Sequence, residues 1–427
     1  MANYSSIYSE MESEVRSYCR KFPVEFSKAR NSELFTKDGT RYIDFFNMAG
    51  SLNYGHNNPY IKRAIMDYLS EDTIINAMDL YTEAKAAFLE TMEKQILHPR
   101  NLNYKVMCCG PTGTNAVEAA LKLARKNKRR TNIFAFSGAF HGMSLGSLAM
   151  TTDQTSREGG GVPLNNVTFV PYENERFDSI AYIRHILEDD HSGIDLPAAI
   201  FVETTQAEGG VNVASIEWLK ELRAICDEYN ILLVVDDIQV GVGRTGYFFS
   251  FERAGIVPDM VILSKSISGF GMPMALLLMK PELDIFRPAE HNGTFRGNQL
   301  SFVGGKAGIE YYVEQQIDVE VQRKAVMIEE YIKTNILSLD ARLSYRGIGL
   351  IWGIDFMKLG AEKAIVCSHD CFEHGLIVEL AGRHDSVLKL MPALTIEDHV
   401  LMEGLNIIKE SVAQSVKKCF NYEKNIL

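Results

Sequence analysis

Short apolar runs separated by polar, glycine-containing stretches dominate the middle of the chain. They fall at 106–108, 132–136, 198–202, 231–235, 260–263 and 275–279. Runs of this length without strict alternation fit strands buried on both faces. Helical spacing fills the gaps. Ser215 is suited to cap a helix whose Leu219, Leu222, Cys226 and Tyr229 recur on one face. Val117, Leu121 and Ala124 recur in the same way after a glycine-rich turn. Strand and helix in alternation predict an α/β fold with a mainly parallel sheet flanked by helices.

The flanks read differently. Residues 8–45 predict a helix and a small hairpin that turns at Asp38-Gly39. Asn47 to His56 reads as a polar loop, and helical patterns fill 59–96. Past about 305, long helices mix with short strands near 351–356 and 387–390. These changes predict three parts: an N-terminal segment, 1–55, joining a small domain; a large domain, 56–305; and a C-terminal small α+β domain, 306–427.

Composition narrows the function. The 427 residues are 46% hydrophobic and 23% charged, ordinary for a globular protein with a sizeable core. A net charge of -11 argues against a nucleic-acid partner or a cationic membrane-surface protein. No apolar run reaches the length of a membrane span, and the start lacks the basic and apolar regions of a signal peptide. Seven cysteines without CxxC spacing read as free thiols in a reducing cytoplasm, and no metal is expected.

The chemistry gathers where the apolar runs stop. The run 260–263 ends at Ser264-Lys265 before a glycine-containing loop. A lysine there stands at the carboxyl end of a buried strand, where open α/β sheets place ligands. Poor solvation lowers its pKa and frees the amine to attack a carbonyl. A lysine snorkelling from a strand end is the plain alternative, and the neighbouring motifs weigh against it. Gly110 to Glu118 leads from a strand into a helix, and the amides of Gly113, Thr114 and Asn115 suit a phosphate. That stretch is neither GxGxxG nor a P-loop, which disfavours a dehydrogenase or an NTPase. Phe140 and His141 follow the run 132–136; read alone they fit a core phenylalanine and a satisfied histidine, and beside the other motifs they suit stacking on a flat ring. Glu203 closes 198–202, with Gln206 and Glu208 behind it. Asp236 and Asp237 close 231–235, and at least one of them should meet a cation or solvent. An amine, a phosphate cradle, an aromatic face and a buried carboxylate are together what pyridoxal 5'-phosphate needs.

The chain resembles the class III, or ω-type, aminotransferases of fold type I across nearly its whole length. The resemblance rests on Leu233 to Gly246, on Pro258-Asp259 to Lys265, and on Gly293 to Asn298. It implies that Lys265 carries the cofactor, Asp236 pairs with the pyridine nitrogen, Ile238 packs under the ring and Gln239 reaches the ring hydroxyl. It also implies that Phe140 stacks on the other face and that Gly113 and Thr114 bind phosphate. Thr294 resembles the threonine that completes this site from a neighbouring subunit, so a homodimer or a dimer of dimers is expected.

Within the family the chain also resembles the L-2,4-diaminobutyrate–2-oxoglutarate transaminases of the ectoine-biosynthesis type. The shared phrases include Leu52 to Pro59, Gly161 to Val167, Ser264 to Gly269 and Lys389 to Thr395. The resemblance implies transfer of the donor's terminal amine to 2-oxoglutarate. Glu208 would face the donor's α-ammonium, and Lys389 or Arg383 its carboxylate. Two departures stand out. Lys389 occupies a position where many members carry arginine, and Ala207 replaces a glycine in the Gln206 to Gly209 tract. The competing readings are an ornithine, acetylornithine or 4-aminobutyrate aminotransferase, a decarboxylase or racemase on the same fold, and a cofactor-sensing regulator.

Overall fold

The computed structural model describes residues 6–174 and 176–417; Cys419 and the first five residues of the chain lie outside them. Seven strands form the central sheet: β1 (Lys105–Gly110), β2 (Ile133–Phe136), β3 (Val167–Val170), β4 (Ala199–Val202), β5 (Leu232–Asp236), β6 (Met260–Leu263) and β7 (Ala275–Met279). Their spatial order is β1-β7-β6-β5-β4-β2-β3. Strand β7 runs antiparallel to both neighbours, and the other pairs are parallel.

Every residue of β2, β4, β5, β6 and β7 is buried, which explains why their sequences do not alternate. The period of two survives in where the side chains go. Ile200, Val202, Leu233, Val235, Val261 and Leu263 enter one core layer. Ala199, Phe201, Leu232, Val234, Met260 and Ile262 enter the layer on the opposite face. The helix Ile216–Glu228 covers the first layer with Trp218, Leu219, Leu222 and Ile225. The helix Gly113–Lys128 covers the second, mostly with alanines and leucines that let it lie close to the sheet.

Two stretches depart from the sequence reading. Strand β3 is an edge strand with three of its four residues only half-buried, so its apolar run is too weak to stand out. The helical pattern over 59–96 breaks into Pro59–Leu69 and Glu83–Thr91, followed by a π turn at Met92–Leu97. Ser70 ends the first helix, and the Thr82 hydroxyl caps the second by accepting from the Lys85 amide.

The expected hairpin near the N-terminus is a three-stranded antiparallel ribbon: Phe26–Arg30, Glu33–Thr36 and Arg41–Asp44. Its fourth strand, Leu376–Ile377, comes from the far end of the chain and pairs parallel to Arg41–Asp44. A second, antiparallel sheet follows the order β8 (Ser344–Ile348), β9 (Ile351–Asp355), β11 (Val387–Leu390), β10 (Glu379–Ala381). The helix Gln299–Glu314 packs on both Pro59–Leu69 and Glu83–Thr91, so one continuous helix passes through position 305.

Asp259 pins the start of β6. Its carboxylate accepts from the Leu233 amide at 2.8 Å and pairs with Arg223 at 2.8 Å and Lys280 at 2.6 Å. Burial works against its charge, but Arg223, Lys280 and the amide hold the carboxyl below the ordinary aspartate range. A depressed carboxyl stabilises the fold above its unfolded pKa and loses that contribution as pH falls. Asp259→Ala should therefore lower unfolding free energy by about 3 kcal/mol at neutral pH, read from the urea midpoint. The difference from wild type should shrink below pH ~4.

Candidate functional site

A cleft of about 330 Å³ opens at the carboxyl ends of the parallel strands. It is reached by Gly113 and Thr114 after β1, Phe140 and His141 after β2, and Glu203 and Glu208 after β4. Asp236, Ile238 and Gln239 enter it from β5, and Lys265 from the end of β6. Ten of the residues singled out in the sequence thus share one cavity.

The loop carrying Lys265 is fixed on both sides. The Ser264 hydroxyl donates to the Met274 carbonyl at 2.7 Å, and the Ser266 hydroxyl donates to the Gly50 carbonyl at 2.7 Å. Gly269 has φ 72°, and a side-chain carbon there would lie 2.1 Å from the Gly304 carbonyl, so only glycine fits. Lys265 itself adopts φ 53°, a left-handed conformation unusual for a side chain of this size. Such strain persists only where the surroundings impose it, and it concentrates at functional sites. Burial lowers the pKa of its amine.

A cluster of buried acidic groups and one imidazole lies beside it. His141 Nδ1 and Asp236 Oδ2 are 2.7 Å apart, and Asp236 Oδ1 accepts from the Ile238 amide at 3.2 Å. Burial opposes the imidazolium, yet the hydrogen bond and charge of Asp236 raise the His141 pKa above the ordinary histidine value. Glu203 Oε1 accepts from the Phe140 amide at 2.9 Å, and burial pushes its carboxyl up to about 7. Asp237 has a different task. Its Oδ2 accepts from the Ser250 amide at 2.9 Å away from the cleft lining, and burial pushes its carboxyl up to about 7.

At the β1 end, the helix Gly113–Lys128 begins on Thr112, whose amide and hydroxyl both donate to Asn115 Oδ1. Helix geometry leaves the first-turn amides of Gly113 and Thr114 without intrahelical acceptors, which suits an anion. A side-chain carbon at Gly113 would meet Ile238 Cδ1 at 2.7 Å, so the glycine lets Ile238 lie flat against the helix start. The Thr114 hydroxyl bonds to Ser144 Oγ at 2.6 Å and to Ser147 Oγ at 2.5 Å. Anion donors, flat apolar surfaces, a buried carboxylate and a lysine of lowered pKa fit pyridoxal phosphate.

The other end of the cleft is charged. Lys389 Nζ lies 2.7 Å from Glu208 Oε1 and 3.0 Å from Glu379 Oε2. Burial opposes both charges of the Glu208–Lys389 pair, but each partner outweighs it: the Glu208 carboxyl is held low and the Lys389 ammonium high. Lys389 is therefore enclosed between two carboxylates and lies outside the lining of the cleft. Arg383 and Thr294 are also outside it, both exposed. Arg383 follows Gly382, whose amide donates to the Glu208 carbonyl at 2.9 Å. The Thr294 carbonyl accepts from Asn76 Nδ2 at 3.3 Å.

Two residues at this end escaped the sequence reading. Tyr18 lines the cleft, and its hydroxyl donates to Glu379 Oε1 at 3.0 Å. Glu12 to Tyr18 is one of the phrases that carry the family resemblance, but nothing in it assigns Tyr18 to the cleft. Glu379 did leave a signal: it interrupts the apolar run Leu376-Ile-Val-Glu-Leu-Ala381, and a carboxylate there must find a cation.

The family model of the class-III aminotransferases matches residues 16–412. A diaminobutyrate–2-oxoglutarate transaminase of Bordetella parapertussis is 51% identical over 417 residues, covering 96% of each chain. One of the same name from Wolinella succinogenes is 48% identical over 96% of this chain and 97% of its own. Among solved structures, the ornithine aminotransferase of Toxoplasma gondii superposes with a TM-score of 0.84 at 22% identity, covering 97% of this chain and 95% of its own. An S-selective transaminase from Arthrobacter sp. gives 0.85 at 20% identity over 97% of each chain. At such identities these structures speak to the fold, which is fold type I. The chain belongs to the class III aminotransferases, which work with pyridoxal phosphate.

Proposed function

We propose that the protein is an ω-aminotransferase that moves the terminal amine of L-2,4-diaminobutyrate to 2-oxoglutarate, or runs the reverse. The products are L-aspartate 4-semialdehyde and L-glutamate. The names of relatives 46–51% identical support this substrate pair. In the molecule itself, the observation that carries the donor is Glu208. Its side chain is 31% exposed, lines the cleft and is held ionised, so it offers an anion to the donor's α-ammonium. The donor's carboxylate falls to Lys389 or to Arg383 on the neighbouring turn. In the second half of the reaction, Glu208 turns aside and Lys389 takes a carboxylate of 2-oxoglutarate.

Bound in the cleft, pyridoxal phosphate draws electrons from the carbon that carries the amine. The chain's residues do the rest. Gly113 and Thr114 anchor the phosphate through the helix start. Phe140 and Ile238 would hold the ring, and Gln239 would bind its hydroxyl. Asp236, steadied by His141, keeps a negative charge against the pyridine nitrogen, with Glu203 behind Phe140. Lys265 Nζ takes a proton from the donor's terminal carbon and gives one back during transfer. Its lowered pKa favours the neutral amine that this task requires.

The proposed assembly is a homodimer in which Thr294 finishes the partner's phosphate site. Phe295 beside it is 67% exposed, and Tyr81, which lines a groove together with Arg296, is 100% exposed. Exposed aromatic side chains are what a subunit interface would cover. No helix among the described residues is long and apolar enough to cross a membrane. We place the enzyme in the cytoplasm with small molecules as its substrates.

Asp236→Asn keeps the shape and removes the charge, so turnover should fall by ~10²-fold or more. Asp237→Asn should cost stability and leave most of the turnover; if it proved the worse mutant for turnover, the two roles would be exchanged. For the donor, kcat/KM measured with 2-oxoglutarate should be highest for L-2,4-diaminobutyrate. Ornithine, one methylene longer, should lose about 1–3 kcal/mol of discrimination. A preference for 4-aminobutyrate, which lacks the α-ammonium, would refute the role of Glu208.

A further inference from the structure

Glu379 and Lys389 are directly opposed across the antiparallel pair β10–β11. Lys389 is 0% exposed and Glu379 4%, so this ion pair lies behind the cleft wall. Glu379 Oε1 is held by the Tyr18 hydroxyl, whereas Oε2 makes no aligned hydrogen bond and meets only the charge of Lys389. Glu208 approaches the same ammonium from the cleft side. Two carboxylates thus share one ammonium, and the group carries a net charge of about -1.

Other cations nearby do not cancel it. Arg346 is engaged by Asp355 at 2.8 Å, and Lys265, whose charge also reaches Glu208, is the residue that the proposed function assigns to the cofactor. Arg383 is exposed to solvent, where its charge is screened. With Lys389 and Glu208 alone, the pair would be neutral, and the mouth would distinguish poorly between donors with and without a second ammonium. The hidden second carboxylate tips the balance, and Glu208 is the member of the group through which the excess charge reaches the cleft.

We infer that Glu379 determines donor specificity: it occupies Lys389 from behind and leaves Glu208 as an uncompensated carboxylate that selects donors carrying a second ammonium. The inference rests on the donor assignment above. Glu379 acts through Lys389 and Glu208 and is a positioning residue. The same charge works against the dicarboxylate acceptor, so removing it moves the two halves of the reaction in opposite directions.

The test compares donors within one enzyme preparation. The half-reaction of the holoenzyme is followed by the cofactor's absorbance with L-2,4-diaminobutyrate and with 4-aminobutyrate. In Glu379→Gln the ratio of the two kcat/KM values should fall by about tenfold or more, the scale of one charged hydrogen bond. The KM for 2-oxoglutarate should fall as well. Glu379→Asp keeps the charge and should keep the ratio. A structural role would lower both donors together, so a ratio in Glu379→Gln within about twofold of wild type overturns the inference. Loss of the ratio in Glu379→Asp as well would also overturn it. If Glu379→Gln does not fold, the wild-type holoenzyme still decides. Propane-1,3-diamine should compete about tenfold more tightly than 3-aminopropanoate, and equal affinity would mean that Lys389 cancels the carboxylates. A wild type that prefers 4-aminobutyrate sinks the donor assignment. A wild type that prefers diaminobutyrate, with an unchanged ratio in Glu379→Gln, sinks this inference alone.

Discussion

The cost of burying charge at the end of an apolar strand governs this structure. Strand β5 is buried throughout and closes on Asp236, which remains only 4% exposed. A carboxylate in that position is tolerated only when a cation or strong donors meet it. His141, delivered from the end of β2, is that partner, and the strand order places β2 and β5 on either side of β4. Glu203, just after β4, accepts from the Phe140 amide, and burial drives it toward its neutral form instead. The sheet topology and the electrostatics of the site are therefore one problem with one solution.

The charged mouth solves the same problem differently. There the cation is the buried member and the carboxylates surround it: Lys389 on β11, Glu379 on β10, and Glu208 from the loop after β4. This group joins the C-terminal sheet to the central one, with Tyr18 adding the N-terminal segment. The arrangement is not symmetrical. Glu379 is enclosed and fixed, whereas Glu208 is partly open to the cleft, so a substrate can compete with only one of them. The ring end is rigid and suited to holding a cofactor, while the mouth keeps one exchangeable contact.

How much of this was legible in the sequence follows from the range of each interaction. The buried strands were legible because β4, β5, β6 and β7 are short apolar runs that give way to polar residues, Asp236 being the last residue of β5. Lys265, Asp236, His141 and Glu203 were legible because parallel strands bring their carboxyl ends together, so position in the motif implies position in space. Strand β3, half-buried at an edge, left too weak a pattern to read. The mouth was less visible still. Glu208 and Lys389 are 181 positions apart, and the Tyr18–Glu379 contact spans 361. No local rule signals contacts across such distances. The carboxylate roles expected of Lys389 and Arg383 rest on the family resemblance and on their charge, and the structure adds what these omit: one is enclosed by two anions, the other stands in solvent.

In the proposed function Lys265 carries the cofactor. Borohydride reduction of the purified holoenzyme, followed by digestion and peptide mass analysis, tests this most directly. A phosphopyridoxyl mass is expected on the peptide containing Lys265 and on no other. The same mass on a peptide containing Lys389, Lys280 or any other lysine, with Lys265 unmodified, would contradict it.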